Sequence, residues 1–184
     1  MSPCVPLCPP VSPCVPLCPP VSYGKDAEQL LTRPKESYDG AMPSDNSIAA
    51  LNFLRLFRLT GRVDLKEKAL DILNRFSARL TEIPGGHTYM LLSWLYLRAQ
   101  GRDIVITGTI GEAENMLKIA DRAYMPFTEV VFKEISDTEL EKLIPFVKDI
   151  APLDNKAAAF ICENMACLAP ISSSEEFGKL LKRG

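Results

Sequence analysis

Cys162 and Cys167 form the residue pair with the most direct chemistry in this chain of 184 residues. Two thiols at this spacing can oxidise to a disulfide, or one of them can act as a reactive thiolate near a helix N-terminus. The C-x4-C spacing differs from the C-x-x-C of thioredoxin active sites, and the sequence offers no third or fourth zinc ligand nearby. A thiol redox site is therefore one hypothesis, and two buried or idle thiols are the alternative.

A second candidate site lies in residues 39–47, which read DGAMPSDNS. This tract concentrates short polar side chains directly before a strongly apolar segment. If the segment is a buried helix, the tract lies at a helix mouth, where small-molecule pockets form. The alternative is a turn followed by a helix N-cap. The candidate binding residues are Asp39, Ser44, Asn46 and Ser47.

The remaining motifs predict no catalytic residue. His87, the only histidine, follows Gly85 and Gly86 and is typical of a helix entry, with no Ser or Cys at a spacing that pairs with it. Gly108 and Gly111 follow an apolar run but lack the patterns of a dinucleotide fold or a P-loop, so a tight turn is expected. The sequence predicts no cofactor and no metal.

Three predicted helices must position the second candidate site, residues 39–47. They lie at residues 43–60, 64–80 and 87–99. The first and third are apolar nearly all round, whereas the second is apolar on one face. This alternation is typical of an α/α toroid, with an ordinary helical bundle as the alternative. Three helices are too few to bury two such apolar helices, so we expect a protein partner or self-association to cover their apolar faces.

The second half of the chain has a different pattern. Short β-branched or apolar runs at residues 103–107, 129–132 and 157–162 alternate with helical segments. A strand–helix pattern repeated three times predicts parallel strands joined by crossovers. The predicted fold class is therefore a partial α/α toroid followed by a small three-stranded parallel α/β layer.

The first residues differ from both halves, because residues 2–11 read SPCVPLCPPV and residues 12–21 repeat them unchanged. Frequent proline prevents a helix or an inner strand. The predicted domains are a disordered leader (1–24), helical hairpins of an incomplete barrel (25–101) and an α/β subdomain (102–184).

Charge and hydropathy exclude two classes of partner. The chain has 21 Lys and Arg against 23 Asp and Glu, a net charge of −2, which argues against a nucleic-acid binder. Proline interrupts every apolar run of the uncharged first residues, and after them the longest uncharged stretch, residues 83–97, is shorter than the roughly 20 residues of a membrane span. No membrane is therefore predicted as a partner. Because no signal pattern is present, we predict a cytoplasmic location, with secretion only if a longer form carries a signal.

Four stretches, in this order, carry a family resemblance: DGAMPSDNSIAALN from Asp39, RLTGR from Arg58, DIVITG from Asp103 and AAAFICENMACLAPI from Ala157. They resemble the C-terminal part of the thioredoxin-domain-containing YyaL family, over residues 36–183. The resemblance implies a thioredoxin-like domain followed by a six-hairpin α/α barrel related to sugar epimerases and glycosidases. Relative to that pattern, this chain is a C-terminal fragment.

The resemblance also locates residues. The barrel-loop motif of the family is matched by Asp39, Pro43, Ser44, Asn46 and Ser47, and its C-terminal motif by Cys162, Glu163, Asn164 and Cys167. Neither motif has an assigned catalytic role. The animal members imply a role in sperm development or fertility.

Three hypotheses follow. The leading one is a non-catalytic fragment that acts as an interaction or structural module. The second is a carbohydrate-active remnant, epimerase-like or glycosidase-like, that uses residues 39–47. The third is a thiol redox module that uses Cys162 and Cys167.

Overall fold

The structure, a computed structural model, describes residues 35–99, 101–135, 137–152, 156–163 and 166–182. The predicted leader (1–24) lies outside these residues. The described part of the chain divides into two compact units, a helical unit of residues 35–57 and 62–97 and a sheet unit of residues 58–61 and 98–182. No helix among the described residues is long and apolar enough to cross a bilayer.

The helical unit is built from α1 (Asp45–Thr60), α2 (Val63–Glu82) and α3 (Thr88–Arg98), with a short 3₁₀ turn at Pro84–Gly86. The three predicted helices are therefore confirmed. Ser44 caps α1, because its side-chain oxygen accepts a hydrogen bond from the Ser47 backbone N–H at 3.2 Å. Gly61 follows the last residue of α1 with φ at 72°, the left-handed conformation that ends helices.

The core of the helical unit is formed by one face of α2 against α1 and α3. The buried members of this core are Ala50, Ile72, Leu73, Phe76, Leu80 and Met90. The opposite face of α2 is exposed and carries Asp71, Arg75 and Arg79, which confirms the prediction of one solvated side. Apolar side chains on α1 and α3 remain exposed, since Ile48 has 38% and Leu95 has 58% of its surface accessible.

The sheet unit has a mixed sheet in the order β2-β1-β3-β4. Its strands are β1 (Arg102–Gly108), β2 (Val130–Glu134), β3 (Ala158–Glu163) and β4 (Ala166–Cys167). Its helices are α4 (Ile110–Arg122), α5 (Thr138–Leu143) and α6 (Ser174–Leu181), with a 3₁₀ turn at Pro145–Val147.

The central strand β1 is buried on both faces. Ile104 and Ile106 pack with Met116 of α4 and Phe177 of α6. The side chain of Val105 points the other way and packs in a second core, with Ile144 and Val147 beyond α5. Successive side chains of a strand alternate between faces, so an unbroken apolar run predicts such a two-sided strand.

The predicted all-parallel layer is wrong for the third strand. β1 pairs with β2 in parallel, but β3 runs antiparallel to β1, with Thr107 opposite Ala158. The helix before β3, α5, is only six residues long, because Pro145 follows Ile144 and cannot continue a helix. β3 starts at the end of the sheet where β1 and β2 finish, since Ala158 lies opposite Thr107 and Glu134 lies opposite Gly108.

Candidate functional site

The carboxylate of Asp39 binds three backbone N–H groups in the helical unit. Its Oδ1 accepts a hydrogen bond from the N–H of Ser44 at 2.9 Å. Its Oδ2 accepts from the N–H groups of Tyr89 at 2.8 Å and Met90 at 3.1 Å. The Asp39 N–H in turn donates to the carbonyl oxygen of Gly86 at 2.7 Å. Asp39 is buried, with 9% of its surface accessible.

These contacts make Asp39 the N-terminal cap of α3. The first N–H groups of a helix have no partner within it, and an acidic side chain stabilises them by hydrogen bonding and by its charge at the positive end of the helix. Asp39 caps α3 although it lies 50 residues before Tyr89 in the sequence. Its bond to the Ser44 N–H also links the loop before α1 to the start of α3.

The other three candidate residues also bind protein groups. The hydroxyls of Ser44 and Ser47 hydrogen-bond each other at 2.8 Å, and both residues are buried. The Asn46 side-chain Nδ2 donates to the carbonyl oxygen of Glu36 at 2.6 Å. The structure therefore brings Asp39, Ser44 and Ser47 together at the start of α1 and fastens Asn46 to the preceding loop.

His87 joins the same region, although the sequence predicted only a helix entry. Its ring Nδ1 donates a hydrogen bond to the carbonyl oxygen of Ser37, since a carbonyl oxygen can only accept. Tyr38 packs edge-on against the ring, with 6.3 Å between centroids. His87 is thus held by the loop before α1 and serves to anchor it.

Three buried polar atoms of the helical unit have no hydrogen-bond partner: Ser37 Oγ, Asn46 Oδ1 and Ser93 Oγ. Buried polar groups are normally satisfied, so these three atoms are exceptions among the described residues of this unit. Ser37 and Asn46 flank Asp39 in sequence, and neither lines a cavity that the structure shows.

Cys162 and Cys167 form a disulfide in the sheet unit. The two residues lie directly opposite each other on the antiparallel strands β3 and β4. Cys162 is buried in the core with Val105, whereas Cys167 is exposed. The alternative of a thiolate at a helix N-terminus does not match this hairpin. Asn164 of the same motif lies outside the described residues.

Sequence reasoning missed Lys133 of β2, which is buried beneath the sheet. Its Nζ lies 2.8 Å from the carbonyl oxygens of Val147 and Ile150 and 2.8 Å from Oε1 of Glu141. The ammonium group thereby caps the 3₁₀ turn after α5. In the sequence VVFKE, alternation indicates an inward Lys133, but a lysine at such a position is normally assigned to solvent.

Arg58 and Asp103 form a second buried ion pair of the sheet unit. Arg58 Nε lies 2.9 Å from Asp103 Oδ1, and Arg58 Nη1 donates to the carbonyl oxygen of Phe127 at 2.7 Å. Burial raises the pKa of the Asp103 carboxyl above its ordinary value, and Arg58 offsets only part of that effect. The two residues are 45 positions apart, so no local pattern indicates the pair.

The sheet unit also contains a cavity of about 280 Å³ beside β1. Apolar side chains dominate its lining, including Met125, Phe127, Leu180 and Leu181, and Arg102 and Thr128 are its polar members. Elsewhere, no three His, Cys, Asp or Glu side chains converge as metal ligands within the part of the chain that the structure describes.

Known proteins similar to this chain are named for spermatogenesis. Spermatogenesis-associated protein 20 is 31% identical in human, 31% in rat and 30% in mouse, over 155 residues in each case. The match covers 83% of this chain and 20% of each relative, and no family model matches. The resemblance seen in the motifs is therefore confirmed as a similarity to spermatogenesis-associated protein 20, of whose length this chain spans about a fifth.

Proposed function

We propose that this chain is a non-catalytic interaction module. The observation that carries the proposal is the carboxylate of Asp39, whose two oxygens bind three backbone N–H groups. A general acid or base needs an oxygen within reach of a substrate. To act on a substrate, the Asp39 oxygen that binds the first turn of α3 would have to break its hydrogen bonds to those N–H groups. The conspicuous motif at residues 39–47 thus has a structural task.

Exposed apolar side chains support the interaction part of the proposal. Ile48 on α1 and Leu95 on α3 are exposed, and Trp94 and Leu97 are only partly buried. A contiguous patch of exposed apolar side chains is typical of a surface that a second protein covers, and we propose that these residues form such a patch. The occupant is a protein partner or a second copy of the chain.

The biological setting is proposed from the similar proteins, whose name associates them with spermatogenesis. By extension, we assign this chain a role in sperm development. The one-sided burial of α2, between helices that keep exposed apolar residues, supports a place in a six-hairpin α/α barrel. We expect the protein to be present in male germ cells, and we expect its loss to reduce fertility.

Sedimentation velocity tests the interaction module directly. We expect the sedimentation coefficient of the full chain to rise with concentration and the Leu95→Glu variant to remain monomeric, because the charge cannot be buried in an apolar contact. Leu143→Glu is the matched control, since Leu143 is 66% exposed on α5 of the other unit. A wild-type chain that stays monomeric at every concentration and unfolds cooperatively would exclude a second copy of the chain as the occupant.

A carbohydrate-binding remnant is the second candidate. Its candidate residues are Asp39, Ser44, Asn46 and Ser47. Among them, the buried Oδ1 of Asn46 has no protein partner, and a sugar hydroxyl would reach this atom only when the loop before α1 opens. Titration calorimetry with monosaccharides and N-acylated sugars tests it. Binding heat that disappears in Asn46→Ala would support this candidate over the non-catalytic module. An absence of heat with every sugar in the wild type would exclude it for those sugars.

The thiol redox module is the third candidate. The pairing of Cys162 with Cys167 supports it, since the two thiols are already within bonding distance. If a thiol reagent labels Cys162 and Cys167 to the same extent with and without reductant, the two residues do not cycle as a redox pair and this candidate is excluded.

A further inference from the structure

The disulfide lies at the edge of the sheet, next to a segment that covers β3. This edge segment, residues 166–171, lies along the outer side of β3. Cys167 lies opposite Cys162, the Leu168 N–H donates to the Ile161 carbonyl oxygen at 2.9 Å, and Ile171 exchanges two hydrogen bonds of 2.9 Å with Ala159. The segment therefore occupies the backbone groups that β3 would otherwise present as a free edge.

The two ends of the edge segment are anchored differently. Ile171 is buried, with 9% of its surface accessible, and belongs to the core beneath α4 and α6. At the other end, β4 is only two residues long and its attachment includes the disulfide. Between the anchors, Leu168, Ala169 and Pro170 are exposed. Apolar burial thus holds the C-terminal anchor, whereas the N-terminal anchor depends on a bond that reductants break.

We propose that the Cys162–Cys167 disulfide is a redox-controlled latch that holds the edge segment on β3. In the oxidised protein the latch is closed and the outer edge of β3 is covered. In the reduced protein residues 166–168 detach while Ile171 stays buried. The carbonyl oxygen of Ile161 then becomes available to an added strand. This inference does not depend on the interaction module proposed above.

The exposure of the two sulfur-bearing residues defines the order of the exchange. A thiolate of an external dithiol attacks Sγ of the exposed Cys167, breaks the Sγ–Sγ bond and forms a mixed disulfide. The Cys162 thiolate leaves and takes up a proton. The second thiol of the dithiol then attacks the sulfur that the reductant contributes to the mixed disulfide. This forms a disulfide within the reductant and releases Cys167 as a thiol. Two electrons pass to the protein, the reductant leaves as its disulfide, and an external disulfide reverses the reaction.

Residue-resolved hydrogen exchange of the full chain, with and without reductant, tests the latch. Closing a loop of this length with a disulfide removes enough chain entropy that Leu168 exchange should accelerate roughly thirtyfold on reduction. The exchange of the Ile171 amide should change less than about threefold, since its anchor is apolar burial. The double variant Cys162→Ala/Cys167→Ala should exchange quickly at Leu168 under both conditions.

Two controls separate the latch from other thiol effects. A variant with Ser at Cys4, Cys8, Cys14 and Cys18 should respond to reductant as the wild type does. Incubation with glutathione, followed by peptide mass spectrometry, should place the adduct on Cys167 and not on Cys162. Unchanged exchange at Leu168 on reduction, equal acceleration at Leu168 and Ile171, or an adduct on Cys162 would each overturn the proposal.

Discussion

In the helical unit the buried polar side chains around Asp39 are short and mostly bind backbone groups, whereas the sheet unit buries full charges against one another. Asp39 and Asn46 contact N–H and carbonyl groups of loops and helix ends. Arg58 pairs with Asp103, and Lys133 pairs with Glu141. The first arrangement fixes backbone geometry. The second joins distant parts of the chain and makes stability depend on ionisation.

The difference predicts which substitutions destabilise each unit and at which pH. Removing one partner of a buried ion pair leaves the other charged group uncompensated, and the penalty exceeds that of a lost cap. The following tests are ordered by expected size.

The largest effect is expected for Lys133→Met in the sheet unit. The substitution removes the ammonium group that pairs with Glu141 and leaves the carbonyl oxygens of Val147 and Ile150 without this donor. The free energy of unfolding should fall by about 3 kcal/mol, read from the hydrogen exchange of β1 amides under native conditions. Lys142→Met is the control, because Lys142 pairs with Glu139 at the surface and should cost less than about 0.5 kcal/mol. Equal losses of unfolding free energy in the two variants would contradict the claim that the buried ion pair matters more than a surface pair.

A smaller loss is expected for Asp39→Ala in the helical unit. Three backbone N–H groups lose their acceptor, which should lower the free energy of unfolding by about 2 kcal/mol. Trp94 of α3 is the only tryptophan of the chain, so urea unfolding followed by its fluorescence reports on this unit. Asp45→Ala, at the exposed start of α1, should cost about 0.5 kcal/mol or less. An Asp39→Ala variant with the free energy of unfolding of the wild type would show that the cap does not stabilise α3.

The pH dependence of the sheet unit should follow from the raised pKa of Asp103. The folded protein holds this proton to higher pH than the unfolded chain, whose ordinary pKa is 3.8. The contribution of Asp103 is therefore fully present below that value and is lost as the pH rises through the raised pKa. Asp103→Asn should remove this slope from a pH series of β1 hydrogen exchange. If the stability of the variant depends on pH as that of the wild type does, a group other than Asp103 causes the pH dependence.

The smallest effect is expected in the helical unit, with the opposite sign. A hydrogen bond from Arg62 lowers the pKa of the exposed Asp64 to about 2. The stability that this pair contributes is present above the ordinary value of 3.8 and is lost as the pH falls towards 2. Trp94 fluorescence in acid titrations should show this loss in the wild type and not in Asp64→Asn. Identical acid curves would contradict the assignment.

The sequence predicted the elements better than their arrangement. Period-3.6 and β-branched patterns located α1–α3 and the three main strands, because burial on one or more faces imposes those periods. The direction of β3 was missed, because a crossover helix was expected between β2 and β3, whereas the described residues there contain only the six-residue α5 and a 3₁₀ turn.

The candidate sites show the same limit. Short polar residues in DGAMPSDNS marked the loop, yet the N–H groups of Tyr89 and Met90 that occupy Asp39 lie 50 and 51 residues away. The C-x4-C spacing allowed a disulfide, and the hairpin register that places the two cysteines opposite each other comes from the antiparallel β3. Partners far apart in sequence leave no local pattern, which also explains why the Arg58–Asp103 pair was missed.

The most direct test of the non-catalytic account is the hydrogen exchange of the Tyr89 and Met90 amides in the wild type and in Asp39→Ala. If the carboxylate is the cap of α3, both amides should be protected in the wild type and exchange roughly tenfold faster or more in the variant. The amide of Arg98, at the far end of the same helix, should change little. Amides of Tyr89 and Met90 that stay equally protected without the carboxylate would contradict the account, because Asp39 would then be available for chemistry.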